Sequence, residues 1–185
     1  YILQHTPGNT VSNLSSTRAL RDVTEKSGNQ FSASAVGEVN VVEMMKETNA
    51  VIGGEGNGGI IYPDLHYGRD ALVGIALFMS LLAERQMTVS ELKNGYPLYF
   101  MSKKKIQLTP EIEVDSILKA MESKYSNQQP NTIDGVKIDF ESSWVHLRKS
   151  NTEPIIRIYT EAQSQKEADD LASSIISEIK TVAKF

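Results

Sequence analysis

Short apolar runs alternate with stretches of helical spacing through the first 95 residues of this 185-residue chain, and eleven of its 12 glycines punctuate that alternation. No other feature restricts the fold as much, because a strand–helix repeat buries its apolar faces only as a sheet with helices packed on it, an α/β unit. Thr10 to Ser15 reads as a strand after the turn Thr6-Pro7-Gly8-Asn9. Ser16 or Thr17 offers an N-cap for a helix through Leu20 and Val23 that stops at Gly28. Phe31 to Val36 follows as a strand, and Glu38 to Glu47 as a helix with Val41, Val42 and Met45 on one side. Ala50 to Gly53 is a short buried strand running into Gly53-Gly54-Glu55-Gly56-Asn57-Gly58-Gly59. Arg69 to Glu84 is a helix apolar nearly all round, which predicts burial on most sides.

The pattern changes near the middle. A connection through Tyr96 to Pro110 leads into a smaller second domain, with boundaries at residues 1–104 and 105–185. It reads as a strand, a helix (Val114, Ile117, Leu118, Met121), two or three strands and a final helix. In that last helix Ala168, Leu171, Ala172, Ile175, Ile176, Ile179, Val182 and Ala183 keep the i, i+3, i+4, i+7 spacing. Its Asp169 and Asp170 read as a solvated face. A domain of about 100 residues is large enough to bury a core, so both can fold.

Charge and composition exclude several functions. Lys plus Arg is 19 against 23 for Asp plus Glu, a net charge of −4. This gives no general attraction to nucleic acid or an anionic membrane, so any anion site must be local. With no Cys, thiolate metal sites and thiol nucleophiles are ruled out, and the composition fits the cytoplasm. The longest nearly apolar run, Ala71 to Ala83, falls short of the ~20 residues that span a bilayer. The start, Tyr1-Ile2-Leu3-Gln4-His5, has neither initiator Met nor signal region and reads as a piece of something longer.

Two loops carry residue types suited to chemistry. Arg148-Lys149-Ser150-Asn151-Thr152-Glu153-Pro154 lies between the apolar runs Trp144–Leu147 and Ile155–Tyr159. An antiparallel hairpin with Arg148 opposite Ile155 puts Val145, Leu147, Ile156 and Ile158 on one face. It puts Trp144, His146, Arg148, Arg157 and Tyr159 on the other, and a one-residue slip would mix the sets. Two guanidiniums beside a turn rich in hydroxyl, amide and N–H donors suit a phosphate. The alternative is a polar hairpin with Arg148 paired to Glu153. In the second loop, Glu55 and Asn57 sit among glycines that permit close approach of a ligand, and together they can hold neighbouring sugar hydroxyls. The alternative there is a plain glycine turn; neither a dinucleotide fingerprint nor a Walker loop is present. His5, His66 and His146 have no metal-site spacing and read as structural or exposed. Lys103-Lys104-Lys105 reads as a solvated strand edge. Glu38 and Asn40 either cap their helix or point into a cleft.

Together these loops resemble the C-terminal half of the α-D-phosphohexomutase superfamily, which includes phosphoglucomutase, phosphomannomutase and phosphoglucosamine mutase. Arg148 to Arg157 is similar to the family's phosphate loop, R-P-S-G/N-T-E-P-x-x-R, and Gly54 to Gly59 to its sugar loop, G-E-x-S-G-H. Ala35 to Val41 matches a V-G-D/E stretch, and Asp134–Phe140 and Trp144–Arg148 match strands of the last domain. The resemblance implies an incomplete third α/β domain followed by an α+β C-terminal domain of the TATA-binding-protein-like type. It implies that Arg148, Ser150, Asn151, Thr152 and Arg157 hold phosphate, and that Glu55 and Asn57 hold sugar hydroxyls. The parent enzyme would interconvert hexose 6-phosphate and hexose 1-phosphate through a phosphoserine and a bisphosphorylated sugar. The serine and the Mg²⁺ loop belong to N-terminal domains missing from this chain. On that reading the chain holds no catalytic residue, metal or cofactor, is inactive alone, and has hexose phosphate and those domains as partners, with no nucleic acid or membrane. Asn57 stands for the family's Ser, Gly59 for its His and Lys149 for its Pro. Asn57 with Asn151 resembles a prokaryotic branch, placing glucosamine phosphate ahead of glucose and mannose phosphates. The other reading is a stand-alone, non-enzymatic sugar-phosphate or anion-binding module.

Overall fold

Val11 and its neighbours in Thr10–Asn13 (β1) form the middle of the first sheet, flanked on both sides by parallel strands. The computed structural model describes residues 1–107, 113–150, 153 and 155–183. The short helix α1 (Ile2–His5) precedes β1, and α2 (Ala19–Lys26), β2 (Phe31–Ser34), α3 (Glu38–Thr48) and β3 (Ile52–Glu55) follow. Next come β4 (Gly59–Ile61), α4 (Ala71–Arg85) and α5 (Val89–Asn94). The strand order is β2-β1-β3-β4, with β1 parallel to β2 and β3, and β4 antiparallel to β3. The chain steps one way from β1 to β2 and back across β1 to reach β3. Right-handed crossovers therefore put α2 and α3 on opposite faces of the sheet. On the α3 face, Val11, Val41, Met45, Ala50 and Ile61 form the core. On the other, the hydroxyls of Thr10 and Thr24 meet at 2.7 Å between β1 and α2.

Three sequence expectations change here. The glycine stretch is not a loop after a strand: Gly53 and Gly54 lie in β3, Gly59 in β4, and the turn between them is only three residues long. A side chain at Gly53 would run into Met45 Sδ, and one at Gly54 into the Gly59 carbonyl, so the hairpin closes only with glycine there. The helix after it, capped by Asp70 Oδ1 accepting from the N–H groups of Leu72 and Val73 (2.9 and 3.0 Å), is not buried on most sides. Leu81 is its one buried residue, while Leu72, Ile75 and Met79 are 77%, 58% and 57% exposed. Only one side of α4 rests on the sheet, where Gly74 lets it approach Ile60. Thirdly, neither Ser16 nor Thr17 is the N-cap of α2; that position is Arg18, without a side-chain cap, and Ser16 instead bonds Asn13 and Gly56.

The second unit holds β5 (Phe100–Gln107), α6 (Val114–Lys124), β6 (Val136–Asp139), β7 (Trp144–Lys149), β8 (Ile155–Ala162) and α7 (Gln165–Ala183). Its sheet is antiparallel throughout, in the order β5-β8-β7-β6. The expected boundary between residues 104 and 105 cuts β5, which pairs with β8 over its whole length; the two units instead divide between Pro97 and Leu98. One face is apolar, with Val136, Ile138, Val145, Leu147, Ile156 and Ile158 packed under Met121 of α6 and Ile175 and Ile179 of α7. That is the face the alternation predicted. On the opposite face Trp144 is fully buried, and its Nε1 donates to Glu161 Oε1 at 2.8 Å. No helix among the described residues is long and apolar enough to cross a membrane.

Trp144→Phe removes the Nε1 hydrogen bond to the buried Glu161 carboxylate. Removing one partner of a buried charged hydrogen bond costs about 3 kcal/mol. Urea unfolding followed by circular dichroism is expected to show the second unit destabilised by that amount; a change under 0.5 kcal/mol contradicts it.

Candidate functional site

Pairing in the second sheet sets positive charges side by side. Arg148 of β7 lies directly across from Arg157 of β8, and Arg157 directly across from Lys105 of β5. Opposed residues share a face, so the three form a row across three strands, on the side away from α6 and α7. The expected register, Arg148 opposite Ile155, is therefore off by two residues. Both side-chain sets survive, because a shift of two keeps every residue on its own face. Like charges set directly opposite destabilise a sheet, and a bound anion removes that cost.

The surroundings orient the row. Arg148 Nε lies 3.0 and 2.8 Å from the two Asp134 carboxylate oxygens, so its partner is Asp134 and not Glu153. Lys149 turns away to Asp115 (3.0 Å). Arg157 has no ion-pair partner among the described residues. The row ends beside the hairpin turn, where Ser150 is buried and its N–H donates to the Ile155 carbonyl (3.1 Å). Asn151 and Thr152, expected in the same phosphate-binding set, lie outside the described residues. One row further on, His146 Nε2 is 2.6 Å from the Asp134 carbonyl oxygen, and burial pushes its pKa down, favouring a neutral ring.

In the first unit, Glu55 stands at the carboxyl end of β3, next to that of β1. Here successive connections leave in opposite directions, the position at which open α/β sheets form a crevice. Its side chain is only 6% exposed and is held from three elements. Oε1 accepts from Asn13 Nδ2 (2.8 Å) and from the Gly37 N–H (3.2 Å), and Oε2 lies 3.4 Å from Arg69 Nη1. Arg69 also binds Glu38, through Nε to Oε2 at 2.9 Å and through its backbone N–H to Oε1 at 3.0 Å. Of the two readings of Glu38 the structure chooses the cleft, and Asn40 donates to the Val36 carbonyl (3.0 Å). Asn57 sits at the exposed tip of the hairpin, where Oδ1 accepts from the Gly59 N–H (3.1 Å). Glu38, Asn57, Gly58, Gly59, Arg69 and Ala71 line a cleft of about 460 Å³. Among the described residues, no group of three or more His, Asp or Glu is placed to hold a metal ion.

Two family models cover nearly the whole chain. The one for phosphoglucomutase/phosphomannomutase alpha/beta/alpha domain III matches residues 1–99, and the one for the C-terminal domain of the same proteins matches residues 103–178. The chain belongs to the phosphoglucomutase/phosphomannomutase family. It is 35% identical over 176 residues to a phosphoglucosamine/phosphogalactosamine mutase of Sulfurisphaera tokodaii, a match covering 94% of this chain and 38% of that protein. It is 34% identical over 160 residues to a phosphoglucomutase/phosphomannomutase of Thermococcus kodakarensis, covering 85% of this chain and 35% of the relative. A solved phosphoglucomutase/phosphomannomutase family protein from Burkholderia thailandensis superposes with a TM-score of 0.79 at 24% identity, over 98% of this chain and 39% of that one. The chain thus spans under two fifths of the length of these two curated relatives.

In phosphoglucomutase/phosphomannomutase terms, Glu55 and Asn57 fall in domain III, and Arg148, Ser150 and Arg157 in the C-terminal domain. Sequence reasoning missed Asn13, Arg69 and Lys105. Lys105 was legible in principle, since alternation along Lys103-Lys104-Lys105 sets the first and last on one face. Arg69 and Asn13 left no such signal, because their partners lie 31 and 42 residues away along the chain.

Arg69 holds Glu38 below its ordinary pKa, chiefly through its backbone N–H and then through its guanidinium. A carboxylate lowered in the folded state stabilises it above the unfolded value, and that contribution is lost as pH falls through the lower folded value. Arg69→Ala is expected to move the Glu38 midpoint back toward the usual glutamate range, read by carboxyl ¹³C NMR titration. An unmoved midpoint means the guanidinium has no part in it.

Proposed function

We propose that this chain is the substrate-binding part of a phosphohexomutase whose full-length form interconverts hexose 6-phosphate and hexose 1-phosphate. The observation that carries this is the row Lys105–Arg157–Arg148 beside the Ser150 turn, a concentration of positive charge in a chain whose net charge is −4. On this reading Arg148, Ser150, Asn151, Thr152 and Arg157 grip the phosphate that does not react, and Lys105 adds a third cation. Guanidiniums take phosphate oxygens two at a time, and a site built on charge accepts the ester from either end of a bisphosphorylated sugar. Glu55 and Asn57 receive ring hydroxyls as acceptor and donor. Asn13, Gly37 and Arg69 fix the Glu55 carboxylate beforehand, which limits the entropy lost on binding.

Phosphoryl transfer itself rests on positioning and charge neutralisation. The phosphoserine and the Mg²⁺ that supply it are proposed to lie in other domains of the parent, so this chain is expected to have no turnover alone. We place the parent in the cytoplasm. Glucosamine phosphate is the favoured substrate, supported by the name of the Sulfurisphaera tokodaii relative; glucose and mannose phosphates come next, supported by that of the Thermococcus kodakarensis relative.

Calorimetric titration of the chain with glucosamine 6-phosphate tests the reading. Arg157→Ala and Arg148→Ala are each expected to weaken binding at least tenfold, about 1.4 kcal/mol, and Lys105→Ala by a smaller factor. Affinity should fall as salt rises. Unchanged affinity in both arginine variants, or mutase turnover by the chain alone, overturns it.

A further inference from the structure

β7 has β6 on one side and β8 on the other, so Arg148 is flanked twice. Arg157 faces it from β8, and repulsion between the two guanidiniums, acting alone, spreads a long side chain over many conformers. Asp134, two residues before β6, meets Arg148 from the opposite side. Both of its carboxylate oxygens lie on Nε, at 3.0 and 2.8 Å. The guanidinium is thus held by its inner nitrogen. Its two terminal nitrogens, which suit the paired oxygens of a phosphate, are left for another acceptor.

The carboxylate is itself held in place. The Asp134 carbonyl accepts from His146 Nε2 at 2.6 Å, and because a carbonyl only accepts, the ring carries its proton on that nitrogen. His146 is buried and stands two residues before Arg148, on the same face of β7. Gly135 follows Asp134 with φ +76°, and a side chain there would run into the Leu147 carbonyl, so the turn lies directly against β7. Asn131 closes the base of the turn, its N–H and carbonyl each paired with Lys137 at 2.8 Å. Three consecutive residues of β7 therefore seat Asp134 and its neighbour: His146 by its ring, Leu147 by close contact and Arg148 by its guanidinium.

Charge and position make opposite demands on this residue. A carboxylate against a phosphate-binding arginine lowers the positive potential an anion meets, so by charge alone affinity rises without it. Its benefit is geometric. A guanidinium fixed before the ligand arrives loses less rotamer freedom on binding, and a bidentate grip tolerates little misalignment. We propose that Asp134 is a positioning residue of the phosphate site, orienting Arg148 through Nε, and that this geometric contribution exceeds the repulsion Asp134 exerts on the anion. The proposal rests on the phosphate reading of Arg148 and Arg157.

Titration of the 185-residue chain with inorganic phosphate, followed by ¹H–¹⁵N NMR, tests this without involving the sugar loop. Asp134→Ala is expected to weaken phosphate binding about fivefold or more, although it makes the site more positive. Asp134→Glu keeps the charge but moves the carboxylate by one methylene, and is expected to weaken binding about threefold or more. In an Arg148→Ala background, Asp134→Ala should bring no further weakening, since Asp134 acts through that guanidinium. Native or tighter binding by Asp134→Ala overturns the proposal. So does an equal loss in both backgrounds, which makes Asp134 a support of the sheet only. If circular dichroism shows Asp134→Ala unfolded, Asp134→Glu decides, and native affinity there overturns the proposal. Failure of the phosphate reading looks different: Arg148→Ala and Arg157→Ala then bind phosphate as the native chain does, and this proposal falls with it.

Discussion

Repulsion among Lys105, Arg157 and Arg148 is the constraint around which the second unit is arranged. Adjacent strands lie about 4.8 Å apart, so directly opposed side chains cannot avoid one another. The sheet holds them because its other face is secured independently, by isoleucines and valines under α6 and α7. The two faces thus have separate tasks, one supplying stability and the other charge. Asp134 does not cancel the row; it fixes the Arg148 end and leaves the sign of the surface positive.

The first unit meets a comparable demand with hydrogen bonds instead of repulsion. Glu55 is nearly buried, and a buried carboxylate requires donors. It takes one from each of β1, the start of α3 and the residue before α4's cap. Glycines at 53, 54 and 59 make this geometry attainable, because side chains there would run into Met45, the Gly59 carbonyl and the Arg69 side chain respectively. The result is a carboxylate whose position is set by three separate parts of the fold.

Much of this was legible in the sequence, and the failures have physical causes. Strand and helix types followed from spacing, and the facing sets of β7 and β8 from alternation, which is why a register wrong by two did no harm. Residue 104 was misjudged as a boundary because nothing local reveals that β5 pairs with β8. The burial of α4 was misjudged because an all-round apolar helix announces that it needs cover but not how much of that cover this chain supplies. Glu38, Asn13 and Arg69 were unreadable as a group, since each finds its partner only after folding. Asn151 and Thr152 lie outside the described residues, so their place in the proposed phosphate-binding set follows from the sequence pattern.

The pairing of β5 has a consequence for biosynthesis. β5 is the first strand of its unit to leave the ribosome, yet its partner in the sheet among the described residues, β8, follows about fifty to sixty residues later. Through that interval it is a bare edge able to join another chain. Three consecutive lysines, 103 to 105, make it a poor one, since positively charged edges resist edge-to-edge association. The same residues that bring cationic charge to the finished sheet therefore also disfavour edge-to-edge pairing of β5 before β8 has been made.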